Sequence, residues 1–175
     1  MEETQVTYQK DSKAFQAFQI FLAVCPFALT LLSALWHFLY DLIPLPIIGA
    51  FAPVNETVWE HLKIVFYPFL IVWWIGYAFD YPGKNPAGHA LSGIVGAVAA
   101  SFTVIAFQYI VCDILKAPSV LPVHILNTFT SLSIGTILGN RFKNIGSPKS
   151  DILLIVVTLS IVAIAAGYCI SAAVR

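Results

Sequence analysis

Apolar residues run in long blocks along this chain, separated by short polar or proline-rich segments. A helix that crosses about 30 Å of hydrocarbon needs roughly 20 mostly apolar residues. Five blocks reach that length, from about Phe18 to Tyr40, Val58 to Phe79, Gly88 to Ile114, Val120 to Leu138 and Ile152 to Val174. The fourth carries Asn127, Thr128, Thr130, Ser131, Ser133 and Thr136, groups that a lipid-facing helix avoids, so it reads as an interior or tilted helix. The pattern predicts an all-α polytopic membrane helix bundle. Residues 18–175 form a single transmembrane domain behind a polar cytoplasmic tail over residues 1–17.

The boundaries carry helix-end chemistry. Thr57, Val58, Trp59 and Glu60 match a capping box, in which hydroxyl and carboxylate serve the amides left over at a helix start, and Asn55 is an alternative cap. Pro122 suits the first turn of the fourth helix, and Ser150 or Asp151 can cap the fifth. Pro26 and Pro68 fall inside spans, where they predict local bends. Between the first two spans, Asp41 to Val54 is apolar but too rich in proline and glycine for a spanning helix. That connector is expected to lie at the membrane interface or to dip back as a re-entrant lid.

Composition sharpens this. Of 175 residues 59% are hydrophobic and 10% charged, with a mean hydropathy of +0.84, whereas soluble domains are about 25% charged. Disorder is excluded on the same ground. Nine basic and nine acidic side chains cancel, and no basic run exists to displace counterions, which argues against nucleic-acid binding. The first apolar block is too long for a signal-peptide core and is expected to stay. With five spans, Lys10, Lys13, Lys84, Arg141, Lys143 and Lys149 fall on one side and Lys63, Lys116 and Arg175 on the other. This bias predicts a cytoplasmic amino terminus and an outside carboxyl terminus. Cys25, Cys112 and Cys169 sit on separate helices with no C-x-x-C, so free, buried thiols are expected.

A charge at a helix centre costs about 2.5 to 3.5 kcal/mol on the insertion scale, so the few polar groups carry most of the functional information. Thr30, Ser33, His37 and Asp41 recur at three- and four-residue spacing on the first helix, a polar stripe that ends at the outer surface. His124, Asn127, Thr128, Ser131 and Gly135 share a face of the fourth helix and begin from the same side. The second helix opens with Asn55, Glu56, Glu60, His61 and Lys63. Glu56 and Glu60 share a sector with Trp59 and Lys63, a spacing that calls for Lys63, an imidazolium or a bound cation beside the two carboxylates.

Four readings fit these residues. In the first, His37, Glu60, His61 and His124 supply ligands for Zn²⁺ or another divalent cation. Glu56 and Glu60 are then the candidate catalytic carboxylates, and metal-activated water attacks a membrane-associated substrate. There is no H-E-x-x-H to specify such a site. In the second, the same groups form a proton or cation path for a coupled small-solute transporter. In the third, Asp41, Asn55, Trp59 and Asn127 help line a non-catalytic pocket for a small or lipid-like ligand. In the fourth, capping, interhelical hydrogen bonds and headgroup contacts account for all of them. His89 begins the third helix on the opposite side and reads as interfacial. Gly88, Ser92, Gly96 and Ala100 form a small-residue stripe suited to tight packing within the protomer, with a homo-oligomer seam as its alternative use.

The most distinctive string is Phe51-Ala52-Pro53-Val54-Asn55-Glu56-Thr57-Val58-Trp59-Glu60-His61-Leu62-Lys63, preceded by Trp36-His37-Phe38-Leu39-Tyr40-Asp41. It resembles a family of small multi-pass prokaryotic membrane proteins known only as a domain of unknown function, with Thr57 where that motif more often has Ser. The resemblance implies a bacterial or archaeal cytoplasmic membrane and no particular reaction.

Overall fold

The computed structural model describes residues 2–79 and 86–143. The expected fifth span, about 152–174, its caps Ser150 and Asp151, and Cys169 lie outside the described residues. Every regular element within them is helical: α1 (Glu2–His37), α2 (Leu39–Leu42), α3 (Pro46–Phe51), α4 (Val58–Gly76), α5 (Pro86–Phe107) and α6 (Leu121–Phe142). A 3₁₀ turn, Tyr77–Phe79, follows α4, and a π-helical segment, Gln108–Ile114, extends α5. Four helices are long and apolar enough to cross a membrane, over Lys13–His37, Glu60–Phe79, Pro86–Ile114 and Leu121–Phe142.

Prolines set several of these boundaries. Leu45 is extended because the residue before a proline disfavours the helical region, and Pro46 then starts α3. Ala52 ends α3 in the same way ahead of Pro53. Val120 is extended before α6, and Pro122 occupies its first turn as expected. Pro26 and Pro68 remain inside continuous helices. The polar segment at the amino terminus is helical, since α1 runs through it from Glu2; its 36 residues make a rod of about 54 Å, well beyond one bilayer's hydrocarbon.

The connector departs from a plain surface loop. It folds into α2 and α3 and packs back on α4, with Ala50 and Ala52 fully buried and the Trp36 indole N–H donating to the Phe51 carbonyl at 2.9 Å. Phe51 meets Tyr67 edge to face, 5.1 Å between centroids.

Cys25, Leu29, Val65, Phe69, Trp73, Ala97, Ala100 and Leu132 form the core where α1, α4, α5 and α6 converge. The small-residue stripe of α5 is used inside the protomer. A Cβ built on Gly96 would lie 2.8 Å from the Gly135 carbonyl oxygen, and one on Gly135 would lie 2.6 Å from that of Gly96, so glycine at both positions is what lets the two backbones touch. His89 is buried rather than interfacial: its Nε2 donates to the Trp73 carbonyl at 2.8 Å, and its ring stacks on that indole.

The polar residues of α6 explain why it need not be enclosed. Thr128, Ser133 and Thr136 each donate to a carbonyl one turn back on the helix, and Ser131 donates to Asn127 Oδ1. With those hydroxyls satisfied and Asn127, Ser131, Gly135 and Thr136 turned inward, the opposite face shows Ile125, Leu126 and Ile137 on the surface of the described residues. Cys25 and Cys112 are free thiols.

Candidate functional site

The capping-box pattern at the head of α4 is realised differently from expectation. Thr57 is the N-cap residue but its side chain makes no capping bond. Its N–H instead donates to Asn55 Oδ1 at 3.0 Å, while the Glu60 carboxylate accepts the Val54 N–H at 2.9 Å. The reason is Lys63. Its Nζ lies 2.8 Å from Glu60 Oε2 and donates to the Gly49 carbonyl at 2.7 Å, drawing Glu60 toward the connector. Both side chains are buried, at 8% and 3% exposure for Glu60 and Lys63, and a buried pair holds only when its remaining hydrogen-bonding capacity is filled, as it is here by backbone groups. Glu60 and Lys63 therefore staple the connector to α4.

Glu56 falls elsewhere. It precedes α4, which begins at Val58, so it does not share a helical face with Glu60. Its Oε2 lies 3.2 Å from His61 Nε2 and 3.8 Å from His37 Nε2, where His37 ends α1. The two imidazole rings are nearly perpendicular, 5.3 Å between centroids, and one donor atom from each of His37, Glu56 and His61 lies within 4.8 Å of the others.

The protonation pattern follows from geometry. His61 Nδ1 lies 2.9 Å from the Thr57 carbonyl oxygen, which can only accept. That nitrogen carries the proton, and in the neutral ring Nε2 presents a lone pair toward Glu56, itself an acceptor. Two facing acceptors need a proton or a cation between them. Holding Nδ1–H on a backbone carbonyl while Nε2 faces the donor group is also how ligating histidines are oriented. Zinc with ligands at about 2.0–2.1 Å in tetrahedral geometry spaces its ligand atoms by about 3.3 Å, and the separations of 3.2 and 3.8 Å bracket that value.

This group forms one rim of a cavity of about 420 Å³. The end of α1, the start of α4, the π-helical end of α5 and the start of α6 surround it, so it opens at one end of the bundle. Gln108, Ser119 and His124 complete the outer ring; Thr30, Ser33, Val65, Val104, Asn127 and Thr128 lie further in by helix register. His124 sits in this ring with its Nε2 2.9 Å from Ser119 Oγ, and it is not part of the three-donor group. Asn127 is buried, its amide donating to the Val104 carbonyl at 3.2 Å. Asp41 is exposed on α2, away from the cavity lining, because the helix carrying the expected stripe stops at His37. Trp59 falls in the first turn of α4, and its side chain lies outside the described part. Gln108 and Ser119 were not anticipated. Gln108 could have been noticed as the one carboxamide in the third apolar block.

Fold and site together define an all-helical bundle, compatible with a membrane protein, that carries a His–Glu–His donor group at the mouth of an end-opening cavity. The chain belongs to DUF6512, a family of unknown function whose sequence model matches residues 10–173. No curated protein and no solved structure matches it.

Proposed function

We propose that this is an integral membrane protein in which His37, Glu56 and His61 hold a divalent cation of the zinc class at the cavity mouth, in support of hydrolysis of a membrane-associated substrate. The observation that carries this reading is the convergence of three donors from α1, the turn before α4 and α4 itself, with Glu56 3.2 and 3.8 Å from the two imidazoles, close to the spacing a tetrahedral ion imposes, and one imidazole already oriented by a backbone carbonyl. These three residues would hold such an ion with one position left for water, and the ion would make that water acidic enough to attack an ester or amide carbonyl near neutral pH. His124 on the opposite part of the ring is the titratable side chain available to move a proton, since Glu60 is committed to Lys63.

A proton or cation path fits less well. It would need a relay of ionisable groups, whereas Glu60 is engaged by Lys63 and the inner lining of Thr30, Ser33, Val65, Val104, Asn127 and Thr128 contains none. With the amino terminus in the cytoplasm, as the basic-residue bias favours, the cavity opens to the outer face of the membrane.

The test is the metal content of protein purified without chelators. One zinc-class ion per chain is expected, lost in His37→Ala, His61→Ala and Glu56→Gln. Metal-free protein that also fails to take up added Zn²⁺ would overturn the reading.

A further inference from the structure

Below the donor group the cavity changes character. Ser33 is 1% exposed, lines the cavity, and its Oγ has no hydrogen-bond partner among the described residues. A buried hydroxyl without a partner is costly, and such a group in a native fold calls for something to satisfy it. The surrounding inner side chains are either neutral and polar, Thr30, Asn127 and Thr128, or apolar, Val65 and Val104. None of these described side chains offers a counter-charge to an ionic group, which would be desolvated without compensation. A bare hydrocarbon tip would leave Ser33 unpaired. The floor therefore suits an uncharged group that donates and accepts hydrogen bonds.

One side of the mouth is apolar. Leu121 and Ile125 of α6 line the cavity and are 71% and 50% exposed, an apolar rim on the way out. Ser33 and His37 are one helical turn apart on α1, so the floor and the donor group are separated by about 6 Å along the helix. That leaves room for a two- or three-carbon polar head between them.

We infer that the cavity takes a single-chain amphiphile with an uncharged, hydroxyl-bearing head, such as a monoacylglycerol or a fatty acyl ethanolamide. The head points inward to Ser33, the ester or amide carbonyl lies level with His37 and His61, and the chain leaves over Leu121 and Ile125 toward the bilayer. Turnover, though not binding, rests on the proposed metal site. Hydrolysis there breaks the bond between the acyl carbon and the head's oxygen or nitrogen, places the water's hydroxyl on that carbon and delivers its proton to the departing alcohol or amine.

Binding of 1-monooleoylglycerol and oleoyl ethanolamide to the full chain in nanodiscs, measured by native mass spectrometry before and after chelator treatment, separates the two proposals. Both ligands are expected to bind chelated protein at least about tenfold more tightly than oleate or oleoyl lysophosphatidylcholine. Ser33→Ala is expected to remove about tenfold of that affinity, roughly the worth of one buried hydrogen bond. Ser101→Ala, which removes a hydroxyl bonded to Ala97 O outside the cavity, controls for loss of folding and leaves affinity unchanged. Equal or tighter binding of the charged-headed lipids, or an unchanged Ser33→Ala affinity, overturns the inference. Neutral lipids that bind but are never cleaved in the presence of Zn²⁺ would leave the inference standing and remove the hydrolytic reading.

Discussion

Lys63 Nζ and Glu60 Oε2 stand 2.8 Å apart in the interior, one helical turn from each other on α4 and joined through Lys63 to the Gly49 carbonyl of α3. Lys63→Met leaves Glu60 a buried carboxylate without its cation and is expected to cost about 3–5 kcal/mol of stability. Replacing both partners, Glu60→Gln with Lys63→Met, is expected to cost less than Lys63→Met alone, because no uncompensated charge remains. Thermal unfolding of the wild type, Lys63→Met and the double variant in one detergent decides it; a double variant less stable than Lys63→Met would contradict the pairing.

Donors and bystanders separate by metal content. His124→Ala and Asp41→Asn are expected to keep full metal occupancy, since neither residue belongs to the group whose donor atoms lie within 4.8 Å of one another. Glu56→Asp, which shortens the reach of the carboxylate toward both imidazoles, should weaken metal affinity at least about tenfold, the size of effect seen when the surroundings of a ligand are disturbed. Isothermal titration with Zn²⁺ measures both, and loss of metal in Asp41→Asn would show that the site extends onto α2.

The approach of α5 to α6 should be intolerant of a single methyl group. Gly96→Ala places a carbon 2.8 Å from the Gly135 carbonyl and against the Phe69 ring. A cost of about 1–3 kcal/mol is expected, against less than about 0.5 kcal/mol for Ala106→Val on the exposed side of α5. Equal melting temperatures for the two variants would mean the helices separate more easily than their packing implies.

His61 offers a test of tautomer control. Its Nδ1–H rests on the Thr57 carbonyl, so ¹⁵N chemical shifts of the metal-free protein are expected to report a ring protonated at Nδ1. A neutral ring protonated at Nε2 would remove the argument that this imidazole is oriented for ligation.

Much of the helical layout could be read from apolar block length, because length and hydropathy are what membrane-spanning helices depend on. The polar stripe of the first helix was legible through His37 but not through Asp41, since periodicity continues on paper past the point where Phe38 breaks α1. Glu56 and Glu60 looked equivalent by spacing. What separates them is the position of the first turn of α4 and the claim of Lys63 on Glu60, and both depend on how residues 46–54 fold back. Ser33 was visible as a polar residue on the right face. Its lack of a partner among the described residues is a property of four helices together, which no single segment encodes.

The connector also imposes a thermodynamic condition. His37 ends one helix, Glu56 lies in the turn before another and His61 in that helix's first turns, and the segment between His37 and Glu56 is pinned by Lys63 through a backbone carbonyl. An ion or ligand shared by these residues, as proposed, would work as a clasp across the α1–α4 hairpin. By linkage, whatever tightens the pinned segment raises affinity at the mouth, and occupancy of the mouth returns the same free energy as resistance of that segment to opening.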